Sequence, residues 1–146
     1  YVPFGVSLYG IAGLVGITIA GRRVDSRMIR LNALAAAVMV VSAIAGLLAL
    51  GAGSGLGMFA VIAVFGMAAG ALPTVATTIF LHAGQRNQDL ASSVYVVTFQ
   101  VGIASGSAVG AAVVDAGYLS GTLISTGVLG ALAFTVLALW SRTLLR

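Results

Sequence analysis

The chain has 146 residues, of which 60% are hydrophobic and only 7% charged, and its mean hydropathy is +1.15. A soluble domain carries about 25% charged residues, so this composition excludes a water-exposed fold and implies an integral membrane chain. The net charge of +4 comes from seven arginines against three aspartates, with no lysine or glutamate; charges this few, all at segment ends, set membrane topology and do not build a nucleic-acid surface.

A membrane span needs about 20 mostly apolar residues. The pattern predicts an all-α, polytopic membrane protein with five spans, at about residues 4–20, 31–50, 56–82, 90–114 and 119–140, forming a single transmembrane domain over 1–146. In the first span Ala12, Gly16 and Ala20 recur every four residues, a small-residue stripe that lets another helix backbone approach closely. The span ends at a polar island, Gly21-Arg22-Arg23-Val24-Asp25-Ser26-Arg27-Met28-Ile29-Arg30, which reads as a short loop at the membrane face.

The second span is apolar all round, so it is expected to be peripheral and lipid-facing. After the uncharged loop Gly51-Ala52-Gly53-Ser54-Gly55, the third span carries the Gly66/Gly70 pair and Pro73. A mid-span proline removes a ladder hydrogen bond and predicts a kink. The hydroxyls of Thr74, Thr77 and Thr78 are placed to satisfy freed carbonyls. In the fourth span Gly102, Gly106 and Gly110 repeat the small-residue spacing, with Tyr95 and Phe99 on the same stripe. Ser93, Gln100 and Ser107 are seven apart on the opposite face, where drift is only about 20° per heptad. Gln100 either bonds a neighbouring helix or lines a path. Trp140 lies near the end of the fifth span, where an interfacial aromatic belongs.

With five spans the loops alternate, and all seven arginines fall on one side. Short arginine-rich loops stay cytoplasmic, so the N-terminus is expected outside and the C-terminus inside the cell. The chain does not begin with Met, and Tyr1-Val2-Pro3-Phe4 has no basic leader region. These two features lead us to expect a fragment or processed product of a longer protein.

Enzyme chemistry finds little to work with. There is no cysteine and no glutamate, and Asp25, Asp89 and Asp115 lie at segment ends. No Ser occupies a nucleophile elbow, and the Gly51–Gly55 run lacks the ending of a phosphate loop. No metal or cofactor site is legible. His82, beside a polar loop, reads as either a proton-relay group or a wet interfacial residue; Asp115 as a coupling acid or a solvated helix end.

Three stretches together resemble the major facilitator superfamily of permeases, and in particular its drug:proton antiporters of the arabinose-efflux and purine-efflux type. Gly10-Ile11-Ala12-Gly13-Leu14-Val15-Gly16 followed by Gly21-Arg22-Arg23-Val24-Asp25 is similar to helix 8 and the loop after it. Gly66-Met67-Ala68-Ala69-Gly70-Ala71-Leu72-Pro73-Thr74 is similar to helix 10. Asp89-Leu90-Ala91-Ser92-Ser93 through Phe99-Gln100-Val101-Gly102-Ile103-Ala104-Ser105-Gly106 is similar to helix 11. The chain would then be helices 8 to 12 of a twelve-helix fold built of two six-helix halves. The loop motif departs from the family at Ser26, where a basic residue is usual, and at Met28, where glycine is usual.

The resemblance implies a secondary active transporter that exports small organic molecules or drugs in exchange for protons by alternating access. It assigns Tyr95, Gln100, Thr74 and Thr77 to the substrate pathway. Gly21, Arg22, Arg23, Asp25 and Arg27 become a gating loop, and Gly16, Gly66, Gly70, Gly102, Gly106 and Gly110 become helix-packing positions. Its implied partners are the lipid bilayer, the missing N-terminal half, a small-molecule substrate and protons. It also places helices 8 and 11 against that first half and helices 9 and 12 against lipid. The rival reading is a small membrane subunit or homo-oligomeric assembly protein with no transport activity, its glycine stripes serving self-association.

Overall fold

The structure, a computed structural model, describes residues 2–144, with side chains throughout except at 25–27, 119 and 137–144. It is all-α. Five helices follow in order: α1 (Val2–Gly21), α2 (Val24–Gly51), α3 (Gly55–Ala83), α4 (Gln88–Asp115) and α5 (Leu119–Leu144). The first four contain windows long and apolar enough to cross a membrane, and α5 carries a shorter apolar stretch over Ser120–Val136 among the described residues.

The connections are tight. Ser54 caps α3 by accepting the Gly57 N–H at 3.1 Å, and Asn87 caps α4 by accepting the Leu90 N–H at 3.1 Å. Both supply an acceptor to N–H groups that a helix start leaves unpaired. Gly53 and Gly117 turn the chain at φ 63° and 78°, a region costly for any residue with a Cβ.

The helices stand in the spatial order α1, α3, α2, α5, with α1 and α2 each lying along α3 and barely touching one another. α4 is fastened only near its two ends. Its start meets the end of α3, where a Cβ on Gly84 would overlap Ala91. Its end meets the start of α5, where a Cβ on Gly121 would come within 2.6 Å of Val113 Cγ1. Between these ends, residues 96–109 are exposed throughout.

Size, not polarity, decides which face is buried. On α2, Ala35, Ala36, Ser42 and Ala43 are buried, while Leu34, Val41, Ile44 and Leu48 are exposed. On α1, Ala12, Gly16 and Ala20 are buried and Val2, Phe4, Ile11 and Leu14 are exposed. Lipid is as apolar as leucine, so burying a large side chain between helices brings little, whereas small residues let backbones pack closely. The expectation that α2 is peripheral is therefore corrected. One face of α2 is exposed, but the other is wedged between α3 and α5, with Gly46 against Leu123 and Val61, and Gly130 of α5 against Val40. A helix that is apolar all round gives no hydrophobic period, yet its alanines still select a packing face.

The polar island is corrected too. Only Arg22 and Arg23 form the turn, and residues 24–30 are helical. Val24 is buried with Ala20 and Val75 in a small core, with Met28, Leu31, Ala71 and Ile79 packed around it. Val24, Met28 and Leu31 share one helix face by their 4- and 3-residue spacing, so apolar burial draws the charged stretch into the helix. α3 runs unbroken through Pro73.

Candidate functional site

The Pro73 region and the start of α4 form the most differentiated part of the chain. Thr74, Thr77 and Thr78 donate their hydroxyls to the carbonyls of Gly70, Pro73 and Thr74, at 3.4, 2.7 and 3.0 Å. These bonds are made one turn back within the same helix. The carbonyl that a proline at 73 deprives of its donor is that of Ala69, four residues earlier, so the three threonines reinforce the turns on either side of it and do not replace the missing bond. The Pro73 carbonyl is shared: it also accepts the Tyr95 hydroxyl of α4 at 3.2 Å.

Tyr95 is the organising side chain. Its ring stacks on Phe99 with centroids 5.6 Å apart and meets Phe80 of α3 edge-on, also at 5.6 Å. Offset or edge-on aromatic contacts of this kind add about 0.5–1.5 kcal/mol beyond burial. Around them opens a crevice of about 370 Å³ between α3 and α4, lined by Ala76, Phe80, Tyr95, Thr98, Phe99, Gly102 and Ile103. Tyr95→Phe is expected to destabilise the α3–α4 contact by about 0.5–1 kcal/mol, the net worth of an interhelical hydrogen bond in a membrane. A shifted unfolding midpoint in a detergent titration followed by circular dichroism checks this.

The pathway residues read from sequence are only partly brought together. Tyr95 and Thr77 meet at one carbonyl, and Thr74 lies a turn away with its hydroxyl directed into its own helix. Gln100 is exposed on another face of α4, outside the crevice lining. Ser93 and Ser107 are exposed as well. Phe80, Ala76 and Thr98 were missed by sequence reasoning. The signal for Ala76 and Phe80 was present in their 3- and 4-residue spacing from Pro73, which places the three on one face of α3; no such spacing marked Thr98 of α4.

The glycines divide into two groups. A Cβ on Gly16 would run into the Met67 backbone, and one on Gly70 into the Gly13 backbone. A Cβ on Gly66 would lie 2.7 Å from the Tyr9 carbonyl oxygen. These three positions form the α1–α3 crossing. Gly102, Gly106 and Gly110 meet nothing within 4 Å.

The gating-loop residues lie where α1 passes into α2. Gly21 ends α1, and Arg22 and Arg23 make the turn, their N–H groups donating to Thr18 and Ala20 carbonyls at 3.3 and 3.0 Å. The side chains of Asp25 and Arg27, like Trp140, Arg142 and Arg146, lie outside the described residues. His82 is exposed in the last turn of α3, its Nδ1 3.3 Å from Gln85 Nε2. Asp89 and Asp115 are exposed at the two ends of α4. No group of three or more His, Cys, Asp or Glu side chains suited to a metal occurs among the described residues.

Long apolar helices, small-residue packing faces and capped tight turns define this chain as a polytopic α-helical membrane protein. Comparison with known protein families, with characterised proteins and with solved structures finds no match.

Proposed function

We propose that the chain is the C-terminal part of a secondary active transporter of the major facilitator type, exporting small organic molecules by proton exchange and alternating access. The observation that carries this reading is α4. It is 28 residues long and apolar enough to span a membrane, yet residues 96–109 are exposed and its glycine stripe faces open space. A lone spanning helix with glycines on one face and Ser93, Gln100 and Ser107 on the other is poorly suited to lipid on all sides. It suits a helix received by a second bundle on one side and bordering a polar path on the other. The aromatic crevice at Tyr95 and Phe99 opens on the glycine side of α4, where it would border the second bundle; Ser93, Gln100 and Ser107 would line the path, and the Arg22–Arg23 turn would be the cytoplasmic gate. The orientation is N-terminus outside and C-terminus cytoplasmic in the cell membrane.

The same unpartnered glycines favour one other reading, a membrane subunit that assembles with copies of itself. Flux in proteoliposomes separates the two. Proton-coupled efflux is expected only from a protein that extends this chain upstream with the first half and helix 7, and not from the 146 residues alone. Flux from the 146 residues alone, or no flux from the extended protein, overturns the transporter-fragment reading.

A further inference from the structure

A second cavity, distinct from the aromatic crevice, lies on the opposite side of α3. Because α1 and α2 both pack along α3 and scarcely touch each other, a groove of about 330 Å³ remains between them. Its walls are Ile19 and Ala20 on one side and Leu31, Leu34 and Ala35 on the other, with Ala71 in its floor. The lining carries no charged or polar side chain. It follows α2 from Leu31 to Val38, about 10 Å of helix.

One end of this groove is basic. Arg22 follows Ile19 by three residues in the turn that closes the groove, and Arg30 lies one helical turn from Leu34 on the same face of α2. Both arginines are exposed. An apolar slot in a spanning region, with Arg22 three residues beyond Ile19 and Arg30 one turn before Leu34, matches a molecule with an acyl chain and an anionic head. Guanidinium is the group best suited to a phosphate.

We propose that this groove is a binding site for an anionic phospholipid, one acyl chain lying between α1 and α2 and the phosphate held at Arg22 and Arg30. The lipid fills the wedge that α1 and α2 leave open, so it acts as packing material between two helices that have little direct contact. The site is independent of any transport activity and holds equally for a self-assembling subunit.

Native mass spectrometry of the detergent-purified 146-residue chain tests it with phosphatidylglycerol and phosphatidylcholine of identical acyl chains. Phosphatidylglycerol is expected to be retained at least about fivefold more strongly per engaged arginine. The preference is expected to vanish in R22Q/R30Q, with helix content by circular dichroism unchanged. Equal retention of the two lipids, or an unchanged preference in R22Q/R30Q, overturns the proposal. A second arm leaves the protein unaltered: glycerol 1-phosphate is added as a competitor with the same phosphate and no acyl chain. Failure to displace the bound phosphatidylglycerol is the expected result. Displacement at concentrations comparable to the lipid's means that a surface phosphate site alone accounts for binding, and overturns the groove.

Discussion

Gly16→Ala and Gly70→Ala are each expected to destabilise the folded bundle by about 1–3 kcal/mol, the usual cost of forcing a methyl group into a well-packed contact. The atoms in the way are the backbone of Met67 and of Gly13, respectively. A flexible side chain could step aside, but a helix backbone moves only if the whole of α1 separates from α3. The gain of about 0.5–1 kcal/mol that alanine usually brings to a helix interior offsets part of this. Replacement by leucine leaves the α1–α3 crossing unable to form. The two substitutions act on one crossing, so the double variant is expected to cost less than the sum of the singles. Gly102→Ala and Gly106→Ala supply the internal contrast. A Cβ there meets nothing within 4 Å, so the isolated chain is expected to keep its stability or gain up to about 1 kcal/mol from the alanine. Unfolding midpoints of the four variants in a sodium dodecyl sulfate titration, followed by circular dichroism, decide the matter. Equal sensitivity of both groups would mean that the α1–α3 crossing does not hold the bundle together. If α4 receives a second bundle in a longer protein, bulk at Gly106 becomes costly only there.

Val75→Asp is expected to have the largest effect, about 3–5 kcal/mol, as for an uncompensated buried charge. Val75 is the largest side chain with no exposure among the described residues. It lies where α1, α2 and α3 converge, against Ala20 and Val24, with Ala71 and Ile79 on its own helix. None of these neighbours offers a side-chain donor. An aspartate there either unfolds the junction or stays protonated at the expense of an unpaired hydroxyl. Val75→Thr preserves the volume, and its hydroxyl can donate to the Ala71 carbonyl one turn back. It is expected to stay folded with a small loss. Resistance to protease in detergent reads both: rapid cleavage of V75D beside a wild-type pattern for V75T is the expected result, and a protease-resistant V75D would show that Val75 is not at a load-carrying junction.

The residues most important to this packing are those with the least chemistry. Asn32 and Ser42 are the buried polar side chains among the described residues, and Asn32 Oδ1 and Ser42 Oγ have no hydrogen-bond partner. The other buried residues on α1 to α3 are glycine, alanine and valine. Gln100, with Ser93 and Ser107, lies exposed on α4, the helix the rest of the chain leaves uncovered over residues 96–109.

Much of this was decided by sequence alone. Composition placed the chain in a membrane because 7% charge cannot clothe a soluble core, and the length of each apolar run set five helices because a backbone in lipid must satisfy its own hydrogen bonds. Small-residue spacing marked Gly16, Gly66 and Gly70, since proximity of backbones depends on the absence of side chains. What sequence did not decide was which helix meets which. α2 has no polar period, and its alanines occur around the helix, so which of them pack was decided only when α3 and α5 were placed beside it. The charged stretch from Val24 to Arg30 read as a loop because its charges are local and visible, whereas its burial against Ala20 and Val75 is a long-range contact. Gly66 and Gly106 carry the same motif; only the tertiary structure separated them, because one has a backbone against it and the other has open space.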